Sequence, residues 1–380
     1  MDRQKATTIM HELLTRMVEQ GGSDLFITAD YPPAMKVDGQ VRPVAEQQLS
    51  AAHTATIARA IMNDRQNHEF ESTKECNFAI HPRGIGRFRV NAFLQQGRVG
   101  LVLRTINTRI PGVEELALPA VLTEVIMAKR GLVMMVGATG SGKSTTLAAL
   151  IGYRNANSHG HIITIEDPVE YVHPHGGCLV TQREVGVDTE NWQVALKNTL
   201  RQAPDVILIG EVRERQTMEY ALQFAETGHL CLCTLHANNA NQALDRVINL
   251  FPEEKREQVL MDLSLNLQAI VSQRLIPRAD GEGRVAAFEV LLGTPAVKDL
   301  IFRGEIAEIR ELMSRTTEQG LVTFDQYLFQ LFDAGAIGYE DALRNADSKN
   351  ELRLKIKLEG RRRGGEEETR LAMLDPGQPR

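Results

Sequence analysis

The chain of 380 residues reads as an α/β protein: a small α+β domain, then a domain on a mainly parallel sheet, then C-terminal helices. Three observations predict this. Four apolar runs, Gly131 to Val136, His161 to Glu166, Val206 to Gly210 and Cys231 to Leu235, alternate with helical stretches, as buried strands joined by crossover helices do. Before residue 111 the apolar segments are short and alternating, broken by Pro32-Pro33 and by the hairpin signal Asp38-Gly39. From Pro252 onward the spacing turns helical.

The elements follow in order. Ile9, Leu13, Leu14, Met17 and Val18 place a helix over 7–20, stopped by Gly21-Gly22. Short strands follow at 24–28, 34–37 and 40–44, a helix at 51–62, and strands at 76–81, 86–96 and 98–106. Pro111-Gly112 opens a linker, 112–119. The parallel-sheet domain spans 120–280, and helical spacing runs through Leu260 to Arg274, 294–303, 324–334 and 339–346. The C-terminal helical section is 281–357, and the charge blocks of 358–380 mark a disordered tail.

With 43% hydrophobic and 24% charged residues, wholesale disorder is excluded. The net charge of −6 gives no support to a nucleic-acid-binding role, although the charge is uneven. No acid occurs from Cys76 to Val113, while Arg83, Arg87, Arg89, Arg98, Arg104 and Arg109 all do; this is either a solvated strand face or a phosphate contact. Cys76, Cys178, Cys231 and Cys233 have neither zinc nor redox spacing. A charged, amphipathic N-terminus and no apolar run of about 18 residues place the chain in the cytosol, with at most peripheral membrane contact.

The chemistry centres on Gly137, Ala138, Thr139, Gly140, Ser141, Gly142, Lys143, Ser144 and Thr145, between a strand and a helix. Glycines there let backbone N–H groups converge on phosphate oxygens, Lys143 reaches the β and γ phosphates of ATP, and Ser144 ligates Mg²⁺. Val206-Ile-Leu-Ile-Gly-Glu211 is a buried strand ending in an acid that organises Mg²⁺ or water. Glu166-Asp-Pro-Val-Glu170 is either an acid cluster polarising water or a turn with exposed acids. His229 and His236 bracket another strand, as hydrogen-bonded structural residues or as sensors of the γ-phosphate.

Together and in order, the phosphate loop, Ile165-Glu-Asp-Pro-Val-Glu-Tyr171, Arg201 to Arg213 and Thr227 to Ala240 resemble the secretion and type IV pilus superfamily of ATPases. Gly21 to Val41 resembles the PAS-like domain of its retraction branch, and 324–360 is similar to the accessory members of that branch. The resemblance implies a RecA-like P-loop ATPase domain with a PAS-like N-terminal domain. It implies Glu166 as catalytic glutamate, Glu211 as the Walker B acid and metal contact, and His229 with His236 as the His box. It further implies a homo-hexameric ring in which Arg89 and Arg104 serve nucleotide, working with a PilT-type retraction ATPase and a PilC-like inner-membrane platform protein. Leu312 to Gly320 lacks the Ile-Gln-Thr-Gly sequence of the autonomous motors, which points to an assisting role. Other readings of the same core are an autonomous retraction motor, a nucleic-acid motor, a small-molecule kinase and a ring subunit that binds ATP only to dock. The first 111 residues have little use in a kinase, and among the arginines only Phe88 and Phe93 offer the stacking a nucleic-acid motor needs.

Overall fold

The structure is a computed structural model describing residues 2–37, 39–106, 109–315 and 320–360. The chain forms two compact units, Met1–Ile110 with Ile165–Pro174 and Gln182–Ala195, and Pro111–Thr164 with His175–Thr181 and Leu196–Arg380. The hairpin signal's Asp38 and the tail from 361 lie outside the described residues.

The first unit opens with α1 (Arg3–Glu19), which starts ahead of its apolar period because the Asp2 carboxylate accepts from the Lys5 N–H at 2.8 Å. Next come β1 (Asp24–Ile27), β2 (Ala34–Val37), β3 (Gln40–Pro43), α2 (Ala51–Ile61) and α3 (Asp64–Thr73), then β4 (Glu75–Ile80), β5 (Arg87–Gln95) and β6 (Arg98–Ile106). Helix α3 was not expected: it is too polar to show an apolar period, and a reciprocal cap between Asn63 and Gln66 starts it.

The six strands form an antiparallel sheet in the order β3-β2-β1-β6-β5-β4. Strand alternation gives that sheet two unlike faces. Phe78, Phe88, Val90, Leu101 and Leu103 share a core with Met10, Leu14 and Met17 of α1 and Ile57 of α2. Arg87, Arg89 and Asn91 alternate with the buried residues of β5, and Arg104 stands opposite Arg89 on β6.

The chain continues with α4 (Val121–Ile126), β7 (Gly131–Val136), α5 (Lys143–Asn157), β8 (Gly160–Glu166), β9 (Cys178–Glu184), α6 (Trp192–Thr199), β10 (Val206–Ile209) and α7 (Arg215–Glu226), the last residues of β8 and β9 and the first of α6 counting with the first unit. Then follow β11 (Leu230–Leu235), α8 (Ala240–Asn249), α9 (Arg256–Asn266), β12 (Leu267–Pro277), β13 (Arg284–Leu292), α10 (Pro295–Arg303), α11 (Ile309–Arg315), α12 (Phe324–Asp333), α13 (Tyr339–Asn345) and α14 (Lys349–Glu359). Seven strands make one sheet, β13-β12-β7-β11-β10-β8-β9, with β10/β11, β11/β7 and β12/β7 parallel. β7, the strand that carries the phosphate loop, is buried at every residue between β12 and β11.

Two expectations are corrected. The helical spacing through Leu260 to Arg274 ends at Asn266, and Leu267–Pro277 is a strand buried along most of its length. A short apolar run buried on both faces has no period that distinguishes helix from strand. The section 281–357, expected to be helical, opens with β13, which pairs antiparallel with β12 along nine residue positions. Within the stretch 112–119, Val113 is buried in the core and Leu116 and Leu118 pack against it.

Phe88 is wholly buried, so Phe88→Ala should cost about 3–5 kcal/mol through lost transfer energy and the cavity left behind. Val41→Ala, at a side chain 55% exposed, should stay within about 0.5 kcal/mol. Urea unfolding of both variants measures the contrast, and equal midpoints would refute the placement of this core.

Candidate active site

The phosphate loop leaves the carboxyl end of β7 and bends three times through glycine-only backbone, with φ +154° at Gly137, +77° at Gly140 and +89° at Gly142. At two of these positions space is also missing. A Cβ on Gly137 would lie 2.7 Å from the Gln273 carbonyl and 2.5 Å from Ser141 Oγ, and one on Gly142 would lie 2.8 Å from Gln273 Nε2. The loop therefore rests directly on β12. Gln273 also accepts from the Thr146 hydroxyl at 2.8 Å, tying the first turn of α5 to the same strand.

Lys143 is 9% exposed and its ammonium donates to the carbonyls of Gly137 and Ala138 at 2.7 and 2.9 Å. Burial pushes its pKa down, against the attraction of Glu211. Ser141 Oγ is buried with no hydrogen-bond partner among the described residues. An unpaired hydroxyl, a buried cation and a backbone cradle at a helix N-terminus are the groups a phosphate would satisfy. Ser144 is exposed on the first turn of α5, where a hydroxyl can meet a cation held by phosphates.

Beside the loop, β10 and β11 deliver an acid and a histidine. The pairing continues past β10 through Val212 N–H to Thr234 O at 2.9 Å, so Glu211 is held at the carboxyl edge of the sheet. Its carboxylate accepts from Arg213 at 2.7 Å and meets His236 Nε2 at 3.0 Å. The Arg213 hydrogen bond, with the charges of Arg213, His236 and Lys143, holds the Glu211 pKa below the usual carboxylate range despite partial burial. An open groove of about 690 Å³ is lined by Ala138, His236, Asn238, Gln242, Asp245 and Arg246.

His229 is elsewhere. The parallel register sets Leu230 opposite Gly131 and Leu235 opposite Val136, so His229 stands at the amino end of the strand. That is about 20 Å from His236 along an extended strand. Its Nδ1 instead lies 3.1 Å from the Thr227 hydroxyl and 3.2 Å from the Phe224 carbonyl, closing the end of α7. The paired histidines therefore divide, one beside Glu211 and one against the end of α7.

The remaining acidic and basic candidates belong to the first unit. Glu166 ends β8 half-buried, accepts from Gln182 Nε2 at 3.3 Å and, through its carbonyl, from the Val185 N–H at 2.9 Å. Arg104 donates to Asp24 at 2.7 Å, and Arg89 lies 3.6 Å from Glu170. Like charges directly opposite on a sheet repel, and each arginine here is met by its own carboxylate. Arg89 Nε is nonetheless buried without a hydrogen-bond partner among the described residues.

Residues 1–323 match the family described as Type II/IV secretion system protein. The chain belongs to this family. It is 63% identical to the type IV pilus ATPase PilU of Pseudomonas aeruginosa, over 91% of each chain. It is 43% identical to the type IV pilus retraction ATPase PilT of the same organism, over 88% of this chain and 97% of that one. A crystal structure of the pilus retraction motor PilT with bound ADP superposes with a TM-score of 0.85 at 39% identity, covering 90% of this chain and 98% of that one.

Residues of this family member that sequence reading missed are the supports. Gln273 seats the loop from 130 positions downstream, with nothing in its own neighbourhood to mark it. Glu184 is 3% exposed and accepts from the Val169 N–H, its pKa raised by burial against the nearby Arg89 and Arg87. Among the described residues no cluster of three His, Cys, Asp or Glu stands ready to hold a metal.

Gly137→Ala should weaken nucleotide binding by about fivefold to a hundredfold, since the added methyl meets a backbone carbonyl and strain costs roughly one to three kcal/mol. Titration with a fluorescent ATP analogue, alongside a melting curve, checks it. Unchanged affinity would show that the loop does not bind phosphate.

Proposed function

We propose that this chain is a Mg²⁺-dependent ATP hydrolase of type IV pilus retraction that works as a homo-hexamer and assists a PilT-type motor. The observation that carries the reading is the meeting of the phosphate loop, Lys143, Glu211 and His236 at one sheet edge, in a chain 63% identical to PilU.

The cradle of Gly137 to Ser144 would hold the β and γ phosphates, with Lys143 exchanging its two carbonyl partners for phosphate oxygens. Bound Mg²⁺ would neutralise charge on the transferring phosphoryl group. Ser144 and the ionised Glu211 are its proposed contacts, few enough for a cation that keeps most of its water and phosphate ligands. Glu166 is the proposed acid that activates water, oriented by Gln182. His236 is the proposed sensor, because its contact with Glu211 lets a change at the γ-phosphate reach α8.

Arg89 and Arg104 are proposed to serve nucleotide of a neighbouring subunit, which would draw them from Glu170 and Asp24. A PilC-like inner-membrane protein is the proposed platform, with the chain attached peripherally from the cytoplasm. No helix among the described residues is long and apolar enough to cross a membrane. The assisting role rests on the greater likeness to PilU than to PilT and on the departure at Leu312 to Gly320, of which 316–319 lie outside the described residues. No nucleic-acid role is proposed.

Lys143→Ala should nearly abolish phosphate release, and so should Arg104→Ala, while both still fold. Mixing the two variants should restore part of the activity at mixed interfaces. Wild-type hydrolysis by Lys143→Ala would refute the site, and no rescue at any ratio would refute donation between subunits.

In cells lacking the PilT-type motor, pili should stay extended when this protein alone is present. They should retract when it is paired with a catalytically dead PilT-type ring. Retraction by this protein alone would make it an autonomous motor.

A further inference from the structure

Like Glu211 and the phosphate loop, His236 belongs to no strand or helix. It sits in the connection between β11 and α8, and what holds that connection lies outside the motifs. Ala240, the first residue of α8, donates its N–H at 2.7 Å to Glu289 Oε1 on β13. The same oxygen accepts from the Ser272 hydroxyl of β12 at 3.0 Å, and Glu289 is only 4% exposed. Two residues earlier, the Asn238 carbonyl accepts from Arg274 Nη2 of β12 at 3.2 Å. Arg274 is itself fixed by Asp347 at 2.7 Å, by the Asn345 carbonyl and by stacking 3.8 Å above Phe324. Arg246 of α8 closes the arrangement by donating to the His236 carbonyl at 2.9 Å.

A buried carboxyl thus holds an N–H and a partly buried cation holds a carbonyl, two residues apart in sequence, on the turn that carries His236. Both come from the β12–β13 hairpin, whose Gln273 also seats the phosphate loop. We propose that Glu289, with Arg274, is a positioning residue for hydrolysis: the pair clamps the Asn238–Ala240 turn and sets His236 against Glu211 in register with the phosphate loop. This rests on the hydrolase reading above.

The clamp is sensitive to pH. Burial pushes Glu289 up to about 7; the Ala240 N–H, the Ser272 hydroxyl and the charge of Arg274 oppose the rise, and Asp347 adds to it. The ionised form makes the stronger, charge-assisted bonds, so the clamp loosens as pH falls through that value. The contribution to folding runs the other way. With a folded pKa above the ordinary carboxylate value, the folded state binds the extra proton in that window, and this stability is lost as pH rises toward 7. Turnover and stability therefore respond oppositely to the same proton, a signature that a merely structural carboxylate lacks.

The test compares wild type, Glu289→Gln and Ser272→Ala by steady-state phosphate release across neutral pH, by binding of a fluorescent ATP analogue and by melting. Glu289→Gln should bind nucleotide as wild type does and melt no lower, yet lose roughly tenfold in kcat with KM unchanged, the scale of a misplaced group. Its pH profile should lack the wild-type inflection near neutrality. Ser272→Ala removes a donor that favours the charged form, so its inflection should move to higher pH, and this variant decides the matter if Glu289→Gln does not fold. Glu289→Gln turning over with the wild-type rate and profile, or a Ser272→Ala profile superimposed on wild type, overturns the clamp alone. Wild type that binds ATP but releases no phosphate overturns the hydrolase reading and the clamp with it.

Discussion

The site depends on how closely the phosphate loop can approach β12. Gly137 and Gly142 lie against Gln273 with no room for a side-chain carbon, and only glycine adopts their backbone angles without strain. That approach sets the loop at the start of α5, where unpaired N–H groups of a helix N-terminus favour an anion, and leaves Lys143 and Ser141 buried. Thr146 is positioned from the same strand through Gln273, and the His236 turn from the β12–β13 hairpin through Ser272, Glu289 and Arg274, while Glu211 is held from β11.

Charge is handled differently in the two units. In the second, cations and anions converge: Lys143, Arg213 and His236 around Glu211, and Arg274 near Glu289. Lys143, Glu211 and Glu289 are the desolvated members and each has a partner, the condition under which buried charge is tolerable, whereas the Arg213 side chain stays 74% exposed. In the first, two arginines stand opposite one another on a sheet whose other face is the hydrophobic core. Their carboxylates, Asp24 and Glu170, quiet the repulsion; the Arg104 side chain remains 60% exposed, while Asp24 is buried and the Arg89 side chain is 26% exposed.

The chemistry of individual positions was legible. The glycine spacing with Lys143 and Ser144, the strand ending in Glu211 and the acid-free stretch with Arg89 and Arg104 are all local patterns, and local patterns survive in one dimension. The parallel core was legible too, because strands buried on both faces are apolar throughout. Strand β12 was misread as helix for the same reason: buried along most of its length, it has no polar face to reveal its period. The polar helix α3 was missed because its start is written in caps rather than in hydrophobicity.

By itself the sequence determined which residue types stand at the phosphate loop and which strands feed it, because backbone geometry at glycine and buried apolar runs are properties of neighbours along the chain. Only the tertiary structure decided between the two histidines. They are seven positions apart on either side of one strand, and an extended strand carries its two ends to opposite edges of a sheet, so His236 reaches Glu211 while His229 cannot. It likewise decided that Gln273, Ser272 and Glu289 support the site, since strand pairing brings them there from more than a hundred residues downstream of the loop.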